Sequence, residues 1–438
     1  MWSGLQTRAL REALRLSVRD FAAHLGVAAR TVSKWEAGGG AVHPRPELQC
    51  ALDTALERAD DTARARFDAE LGRAAALGRA NPGDVTEPRL QDTDWGREAT
   101  GDLARFLADG APPSAGSALR LAQEWRTTEA PQVTELRAGR RVGDRLVRLV
   151  GERVALLRHL DDVLGGGDLH DLLRTELSST LGAVREAAYT AETGRALLGA
   201  VADLCQLAGW VASDAGLSRR AERYHLGGLR AAHAARDAPL AANLLSSLSY
   251  QAANVGDPRE AVLLATGAYT EAEGRAPPVA RALLLERVAW ANARVGDVRA
   301  TESALGAAGD AFAAAEPDGG PPWAYWLTAG ELDIMAGRCL TELRRPRRAI
   351  ELLAPVLDRY DDTHARELAL YLSWLAEAHV YAGEVDRAAA VATRVAELSA
   401  GVASVRTRER VLLLRRLLQP YRGQEDVDAF EEQVHLHR

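Results

Sequence analysis

The first part of the chain alternates apolar and polar residues with the period of an α-helix. The pattern covers residues 5–16, 18–25 and 28–37, and it returns after Pro46 with leucine and alanine on one face. Segments of this length with helical periodicity, separated by glycine and proline, predict four short helices. Their apolar faces would form one small core, which predicts a separate N-terminal domain.

The residues between the second and third predicted helices favour a tight turn. Ser17 is a candidate N-cap, and Asp20 three residues later completes a capping pattern. Gly26 can adopt the left-handed backbone conformation that a short helix-to-helix turn needs, and Val27 would fill the angle between the helices. The glycines at 38–40 are expected to end the third helix. Two short helices joined in this way form a helix-turn-helix.

From Val133 onward the apolar pattern is helical, and turns recur at regular intervals. Gly216, Gly256 and Gly296 are 40 residues apart, and later turns fall at Arg344 and Gly383. The residue seven positions before each turn is small, and so is the residue five positions after it. Small side chains in a fixed register let paired helices approach closely, so the pattern predicts a tetratricopeptide-like α-solenoid. A helical bundle without repeats is the alternative.

A solenoid of this kind exposes a concave groove lined by the first helix of each pair. In this register Trp210, Tyr250 and Trp290 are equivalent and would form an aromatic row. Asparagine in the groove could bind a peptide backbone, and arginine could bind a carboxylate. Aromatic residues at helical spacing are also common in cores, which is the alternative for the row. The candidate groove residues are Asp203, Gln206, Trp210, Asn243, Ser246, Tyr250, Asn254, Trp290, Arg294 and Arg338, with Asp214, Glu286 and Glu331 among further positions on the same face.

The composition shifts between the two helical regions. Residues 71–116 contain Asn-Pro-Gly, Glu-Pro and Ala-Pro-Pro sequences, which indicate turns and connecting segments. We therefore expect a helical domain at 1–70, a hinged linker with short helices at 71–130 and the repeat region at 131–438. The glycines at 165–167 lack a preceding strand and a following lysine, so they predict a loop and not a phosphate-binding turn. The fold class expected for the whole chain is all-α.

Charge differs between the N-terminal domain and the rest of the chain. The net charge of the whole chain is −7, whereas residues 1–58 contain eight Lys or Arg and six Asp or Glu. An acidic chain does not coat nucleic acid, so any DNA contact requires a local basic surface. The outer face of the third predicted helix offers such a surface, which comprises Ala29, Arg30, Ser33 and Lys34.

Residue counts exclude several chemistries. Lys34 is the only lysine and no glycine loop precedes it, which excludes a P-loop and a lysine Schiff base. The three cysteines are far apart and the ten histidines show no zinc-binding spacing, so we expect no disulfide, metal, cofactor or catalytic residue. The start of the chain lacks a signal pattern and no run of 18 apolar residues occurs. A cytoplasmic protein without a membrane segment is expected.

The run S-V-R-D-F-A-A-H-L-G-V-A-A-R-T-V-S-K-W-E-A-G at 17–38 resembles the helix-turn-helix of the Cro/C1, or xenobiotic-response-element, family. The resemblance implies that Ala29, Arg30, Ser33 and Lys34 meet base edges in the major groove of double-stranded DNA. It also implies phosphate contacts for Ser17, Thr31 and Arg45. Proteins of this plan bind paired half-sites as dimers, so a homodimer is expected.

Five further stretches are distinctive: G-R-R-V-G at 139–143, L-D-D-V-L-G-G-G-D-L at 160–169, T-G-R-A-L-L at 193–198, L-A-G-W-V-A-S-D-A-G at 207–216 and L-S-Y-Q-A-A-N-V-G-D-P-R-E-A at 248–261. Through them most of the chain resembles actinomycete helix-turn-helix regulators with a C-terminal tetratricopeptide array. The plan is also similar to that of the peptide-sensing quorum regulators of Gram-positive bacteria. The resemblance implies transcriptional regulation. Two interpretations stay open: a regulator whose repeat region dimerises and binds a small-molecule or peptide effector, and an adaptor that binds a protein partner and uses the helix-turn-helix only to localise on DNA.

Overall fold

The computed structural model divides the chain into two compact units, Met1–Val85 and Thr86–Arg438. Each unit is built from helices around its own core. The structure describes residues 2, 4–14, 16–37, 44–59, 63, 67, 87–108, 110–163, 166–316, 319–361, 363–400 and 404–436.

The first unit follows the predicted order of short helices. Its core contains Leu10, Phe21, Val32, Trp35 and Leu52, which are all buried. The glycines at 38–40, predicted to end the third helix, lie outside the described residues. The helices are Gly4–Ala13 (α1), Val18–His24 (α2), Ala29–Ala37 (α3) and Pro46–Glu57 (α4).

The turn between α2 and α3 has the predicted chemistry. The Ser17 hydroxyl accepts the Asp20 backbone N–H at 3.1 Å and donates to the Asp20 carboxylate at 2.6 Å, which caps the start of α2. Gly26 has a φ of +69°, a conformation in which a side chain would be strained. The Val27 N–H then donates to the Ala22 carbonyl at 2.9 Å, and this bond closes the turn. The helix-turn-helix geometry is therefore encoded locally.

The second unit is almost entirely helical in its described part, in agreement with the all-α expectation. Two strands of two residues, Asp94–Trp95 (β1) and Gln132–Val133 (β2), pair in parallel. Short 3-10 turns occur at Pro322–Ala324 and Gln419–Tyr421. The helices are Arg97–Ala108 (α5), Ser117–Thr127 (α6), Asp144–Val163 (α7), Gly166–Glu186 (α8), Ala191–Asp214 (α9), Ser218–Ala235 (α10), Ala238–Val255 (α11), Pro258–Ala272 (α12), Pro278–Arg294 (α13), Val298–Ala313 (α14), Ala329–Glu342 (α15), Pro346–Leu357 (α16), Ala365–Ala382 (α17), Val385–Ser399 (α18), Val405–Leu418 (α19) and Glu425–Leu436 (α20).

The helix predicted to resume at Val133 begins later, at Asp144. Val133 instead belongs to β2, because its neighbours pair with the segment around Trp95. The Thr134 N–H donates to the Trp95 carbonyl at 2.9 Å, and the side chains of Trp95 and Val133 are both buried. A long-range backbone pairing thus overrides the local helical pattern here.

Consecutive helices of the second unit pack as pairs. Helix α9 packs against α10, α11 against α12, α13 against α14, α15 against α16 and α17 against α18. The first helix of each pair also contacts the first helix of the next pair, and α17 contacts α19 in the same way. These contacts form a continuous wall of first helices, as expected of a helical-repeat architecture.

The predicted turns end the first helices of the pairs. Gly216, Gly296 and Gly383 have φ values of +76°, +78° and +80°, the left-handed conformation that favours glycine at a helix C-terminus. Arg344 adopts the same conformation with a φ of +57°, so the turn that lacks glycine keeps the geometry of the others. Gly256 is the exception, with a φ of −126°.

The small residues lie where paired helices approach each other. A Cβ atom added to Gly209 would stand 2.3 Å from Nε2 of His225, and one added to Gly337 would stand 2.5 Å from Cγ of Leu353. At the equivalent position, the Ser249 hydroxyl donates to the Ala261 carbonyl of the paired helix at 2.8 Å. The register deduced from the sequence therefore marks real helix-to-helix contacts.

Much of the segment expected to be a linker packs against the helix pairs. Helix α5 contacts α8 and α10, and α6 contacts α12. The Arg223 guanidinium lies 4.4 Å from the centre of the Phe106 ring and donates to the Phe106 carbonyl at 2.5 Å. Arg230 forms an ion pair with Asp92 at 2.6 Å. From residue 87 onward this segment thus belongs to the second unit, whereas residues 71–86 lie outside the described chain.

Helix α9 is long and apolar enough to span a membrane by length and composition alone. Two-thirds of its most apolar window is buried against the rest of the second unit. Burial of this kind is typical of a core helix, and no other helix in the described residues passes the same test.

Candidate functional site

The outer face of α3 is the candidate DNA-binding surface. Ala29, Arg30, Ser33 and Lys34 are all exposed on it, as the sequence predicted. The opposite face of the helix is buried, and its Val32 and Trp35 side chains lie in the core of the first unit. The helix therefore presents one polar and basic strip to solvent while its other side holds it in place.

An ion pair fixes α3 against α1. The Arg11 guanidinium donates to both carboxylate oxygens of Glu36, at 2.7 Å and 3.0 Å. It also donates to the Leu16 carbonyl at 3.2 Å. The hydrogen bond to Glu36 outweighs partial burial and raises the pKa of Arg11. This bidentate ion pair fixes the orientation of the end of α3 in addition to the apolar packing of the helix.

The residues expected to contact phosphates lie around α3. Arg45 is exposed immediately before α4, and Thr31 is half-buried at the start of α3. Ser17 is exposed, but its hydroxyl already serves as the cap of α2. Both the base-contact and the phosphate-contact assignments stay predictions, since they require a bound duplex to test them.

A cavity of about 480 Å³ lies in the second unit, along the wall of first helices. A volume of this size suits a small organic molecule. Helices α9, α11, α13, α15 and α17 contribute to its lining, as do α7, α19 and the segment around Trp323. The lining combines aromatic, arginine and carboxylate side chains.

The structure brings five of the ten candidate groove residues to this cavity, and two of the further positions, Asp214 and Glu331, line it as well. The five candidates are Gln206, Trp210, Asn243, Tyr250 and Arg338.

The other five predicted residues lie outside the lining. Asp203 forms an ion pair with Arg158, Ser246 donates to the Asn243 carbonyl of its own helix, and Arg294 pairs with Glu342 at 2.5 Å. The Asn254 amide oxygen accepts a hydrogen bond from Arg338 at 3.1 Å. The Trp290 ring stacks against the Arg338 guanidinium, with 3.6 Å between the ring centre and Cζ. Asn254 and Trp290 therefore support a lining residue instead of meeting a ligand themselves.

One register position was missed. Leu207, Ser247 and Arg287 are spaced by the repeat interval of 40 residues, and all three line the cavity. The sequence analysis predicted the positions one residue earlier, which are Gln206, Ser246 and Glu286. Ser246 and Glu286 lie outside the lining. The same repeat comparison, advanced by one residue, would have identified Arg287.

The predicted groove is closed on one side by parts of the chain outside the repeat register. Arg366 binds Asp161 at 3.2 Å and also approaches Asp214 at 3.5 Å. The Ser404 hydroxyl donates to Asp214 at 3.1 Å, and the Tyr325 hydroxyl donates to Asp162 at 2.6 Å. These contacts join α7 and the start of α19 to the helix wall, so the groove becomes a cavity.

Three guanidinium groups surround Tyr250. Arg338 and Arg406 donate to its hydroxyl at 2.8 Å and 3.1 Å, and the Arg287 guanidinium lies 4.6 Å from the centre of its ring. Burial by itself would raise the pKa of Tyr250, but the three positive charges outweigh it and lower that pKa to about 7. We call Tyr250, Arg287, Arg338 and Arg406 the arginine cluster.

The cavity lining also contains carboxylates that have partners within the protein. Glu331 accepts from Tyr360 at 3.1 Å and from Tyr371 at 2.8 Å. Glu367 accepts from Arg366 at 2.7 Å. Burial raises the pKa of Glu331, and the two tyrosine hydrogen bonds act against this shift. The acidic side chains are thus held by neighbours within the protein.

The comparisons with known proteins identify the first unit. A sequence family described as a helix-turn-helix domain matches residues 4–67. No curated protein matches the chain. The match indicates a DNA-binding regulator and covers the helices that present the α3 face.

Metal binding gains no support from the described chain. Within it, no group of three or more His, Cys, Asp or Glu side chains is placed to hold a metal ion. Cys205 and Cys339 are both buried, and burial raises their thiol pKa values well above the usual range. The lining of the cavity itself consists of charged, hydrogen-bonding, aromatic and apolar side chains.

Proposed function

We propose that the protein is a ligand-responsive transcriptional regulator. It binds operator DNA as a homodimer through the α3 face, and an effector binds in the cavity of the second unit. The observation that favours an effector is the cavity itself, whose volume and mixed aromatic and charged lining suit a small molecule. We infer no catalytic activity and no cofactor.

The first unit by itself supports the homodimer. One helix-turn-helix contacts a short DNA segment and few phosphates, so a single copy binds weakly. Two copies on half-sites about one helical turn apart, roughly 34 Å, would bind tightly enough for regulation. Such a protein would work in the cytoplasm, at the nucleoid.

We also infer that the helix pairs of the second unit are tetratricopeptide-like repeats. The 40-residue interval between Gly216, Gly256 and Gly296 supports this, as do the close contacts at Gly209 and Gly337. An origin in actinomycetes agrees with the sequence stretches quoted above.

The effector would act by preferring one DNA-binding state of the protein. A ligand that binds one state 100-fold more tightly than another changes their equilibrium by about 2.7 kcal/mol. The cavity is built from helix pairs and closed by contacts such as Arg366 with Asp161. Filling it would change the packing across several pairs, which gives the effector its preference for one state.

The first experiment is sequencing of genomic DNA fragments captured by the purified full chain. We expect a palindromic motif with half-sites about 10 base pairs apart. The Arg30→Ala/Lys34→Ala double variant is the matched control and should capture no motif. Absence of any motif with the wild-type protein would overturn operator binding.

The second experiment adds small-molecule fractions of a cell extract to the protein bound to its motif. A fraction that changes the DNA affinity of the wild type supports effector control. If no fraction does so and a protein partner copurifies stably, the adaptor interpretation replaces it.

A further inference from the structure

The arginine cluster contains a buried cation, Arg287, that forms no ion pair with a carboxylate of the described residues. Arg287 is 7% exposed, and the structure gives its guanidinium no hydrogen bond and no ion pair within the described residues. Burial lowers the pKa of Arg287 to about 10, so the group remains protonated at neutral pH. Proteins rarely bury an unpaired charge, because removing it from water is costly.

The rest of the cluster reinforces the positive charge. Arg338 donates to the Tyr250 hydroxyl and the Asn254 amide oxygen, neither of which is a carboxylate, and its Nε is buried without an acceptor. Arg406 approaches Asp214 at 3.6 Å, but Asp214 also faces Arg366 at 3.5 Å. Among the described residues, Arg406 is therefore the only arginine of the cluster that approaches a carboxylate. It shares that carboxylate, Asp214, with Arg366.

The negative side chains of the cavity do not compensate. Asp161 and Glu367 are bound by Arg366, and Glu331 is bound by two tyrosines. Asp214 Oδ2 and Glu367 Oε2 are buried without a hydrogen bond, but both carboxylates lie against Arg366. Among the described residues no carboxylate pairs with Arg287 or Arg338, so the unpaired charge that the cavity offers is cationic. The lining also contains apolar and aromatic groups that include Trp210, Leu283 and Met335.

We propose that the cavity binds a small organic anion, whose oxyanion group is held by Arg287 and Arg338. The apolar body of this anion packs against the aromatic and apolar side chains that line the cavity. A carboxylate, sulfonate or phosphate ester meets this description, because guanidinium groups donate two parallel hydrogen bonds to such oxygens. The inference rests on the proposed effector function and specifies the chemical class of the effector.

The test uses two fluorescent probes with the same aromatic skeleton. One is 8-anilinonaphthalene-1-sulfonate, which is anionic, and the other is N-phenyl-1-naphthylamine, which is neutral. We expect the full chain to bind the anionic probe at least tenfold more tightly. The Arg287→Met variant should lose most of that preference and keep its affinity for the neutral probe within about twofold, since Met preserves the apolar stem.

Two further variants complete the test. Arg299→Met, at an exposed position of α14, should bind both probes like the wild type. Arg287→Lys retains the charge and should keep part of the preference. An Arg287→Met variant that discriminates between the probes as the wild type does would overturn the proposal. So would a wild type that binds both probes equally.

Melting temperatures separate this result from a folding defect. Removal of an unpaired buried charge should leave the melting temperature of Arg287→Met at or above that of the wild type. A clearly lower value would show that Arg287 stabilises the empty protein, and it would count against a ligand-binding role.

The DNA readout distinguishes this proposal from the proposed function. If the anionic probe binds through Arg287 and DNA affinity stays unchanged with every effector fraction, the anion site stands and effector control fails. If DNA affinity responds only to a neutral compound and Arg287→Met has no effect on probe binding, effector control stands and the anion site fails.

Discussion

Arginine is used in opposite ways in the two units. Arg30 lies exposed on α3, whereas Arg287 is almost completely buried in the cavity. At 4 Å, two unit charges interact by about 1 kcal/mol in water and about 4 kcal/mol at the effective dielectric constant of a protein. An exposed arginine is therefore available to a charged partner such as DNA at little cost to folding. A buried one affects both folding and recognition.

This difference makes the second unit the more sensitive to loss of a charge. The strongest test is Arg366→Met, which removes the cation shared by Asp161 and Asp214. We expect a loss of ~3–5 kcal/mol in the free energy of unfolding, because the buried Asp161 loses its arginine partner. Asp214 loses one of its two arginines and keeps Arg406 and the Ser404 hydroxyl. Denaturant unfolding of the full chain measures the loss.

The matched control for that test is Arg348→Met. Arg348 pairs with Glu302, but both side chains are largely exposed. The expected loss is below ~1 kcal/mol. Equal losses for the two variants would contradict the contrast between buried and exposed arginine.

The converse test replaces the exposed charges of α3. Arg30→Ala and Lys34→Ala should each weaken specific DNA binding by ~1–3 kcal/mol, since each side chain is expected to read a base edge. The free energy of unfolding should change by less than ~0.5 kcal/mol. Fluorescence anisotropy on the captured motif measures the affinity. Wild-type affinity in both variants would remove the base-contact assignment.

Arg45→Ala provides the control for those two variants. A phosphate contact is independent of sequence, so this variant should weaken binding to all duplexes equally. It should also lower the slope of log affinity against log salt by about 1. A loss confined to the specific motif would instead place Arg45 at a base.

Within the second unit, glycine substitutions compare a close helix-to-helix contact with an exposed helix position. Gly337→Ala places a methyl group 2.5 Å from the Leu353 side chain, and we expect it to cost ~1–3 kcal/mol. Gly306→Ala lies on an exposed part of α14 with no atom within 4 Å, and it should stabilise by ~0.5–1 kcal/mol. Thermal unfolding of both variants checks the opposite signs. A neutral Gly337→Ala would mean that the helix pairs separate easily.

The smallest expected effect concerns Glu286, which is buried beside the cavity wall. Burial raises its pKa from 4.5 to about 8, with Arg287 acting against the shift. The folded protein thus keeps Glu286 protonated where the unfolded chain ionises it, so stability falls as pH rises from about 4.5 to about 8.

Glu286→Gln removes this titration. The difference in unfolding free energy between pH ~6 and pH ~8 should shrink by ~1–2 kcal/mol relative to the wild type. Denaturant titrations at the two pH values measure it, with Glu302→Gln at an exposed site as the control. An unchanged pH difference would mean that Glu286 is ionised in the folded protein.

The helix-turn-helix could be predicted almost to the residue. Its signals are local: Ser17 caps the helix that follows, and Gly26 sets the turn by its own backbone conformation. The repeat register was also visible, since Gly209 and Gly337 are small for a steric reason that recurs in each pair. Local sterics and periodicity act over a few residues, so they can be read from the order of residues alone.

The cavity could be predicted only in part. Trp210 and Tyr250 follow the repeat, but Arg406 reaches the Tyr250 hydroxyl from a position 156 residues away along the chain. Arg366 and Asp161 are separated by 205 residues. No periodic pattern relates such positions, because their meeting depends on how far the helix wall curves before the chain returns to it.

The sequence by itself therefore determined the helical class, the DNA-binding plan and the spacing of the helix pairs, all of which follow from short-range backbone preference and side-chain size. The tertiary structure decided that α5 and α6 pack against the pairs, that Trp290 supports Arg338 from beneath, and that Arg287 lines the cavity without a carboxylate partner among the described residues. Each of these depends on contacts between distant parts of the chain, where burial and charge are fixed only once the helices have packed.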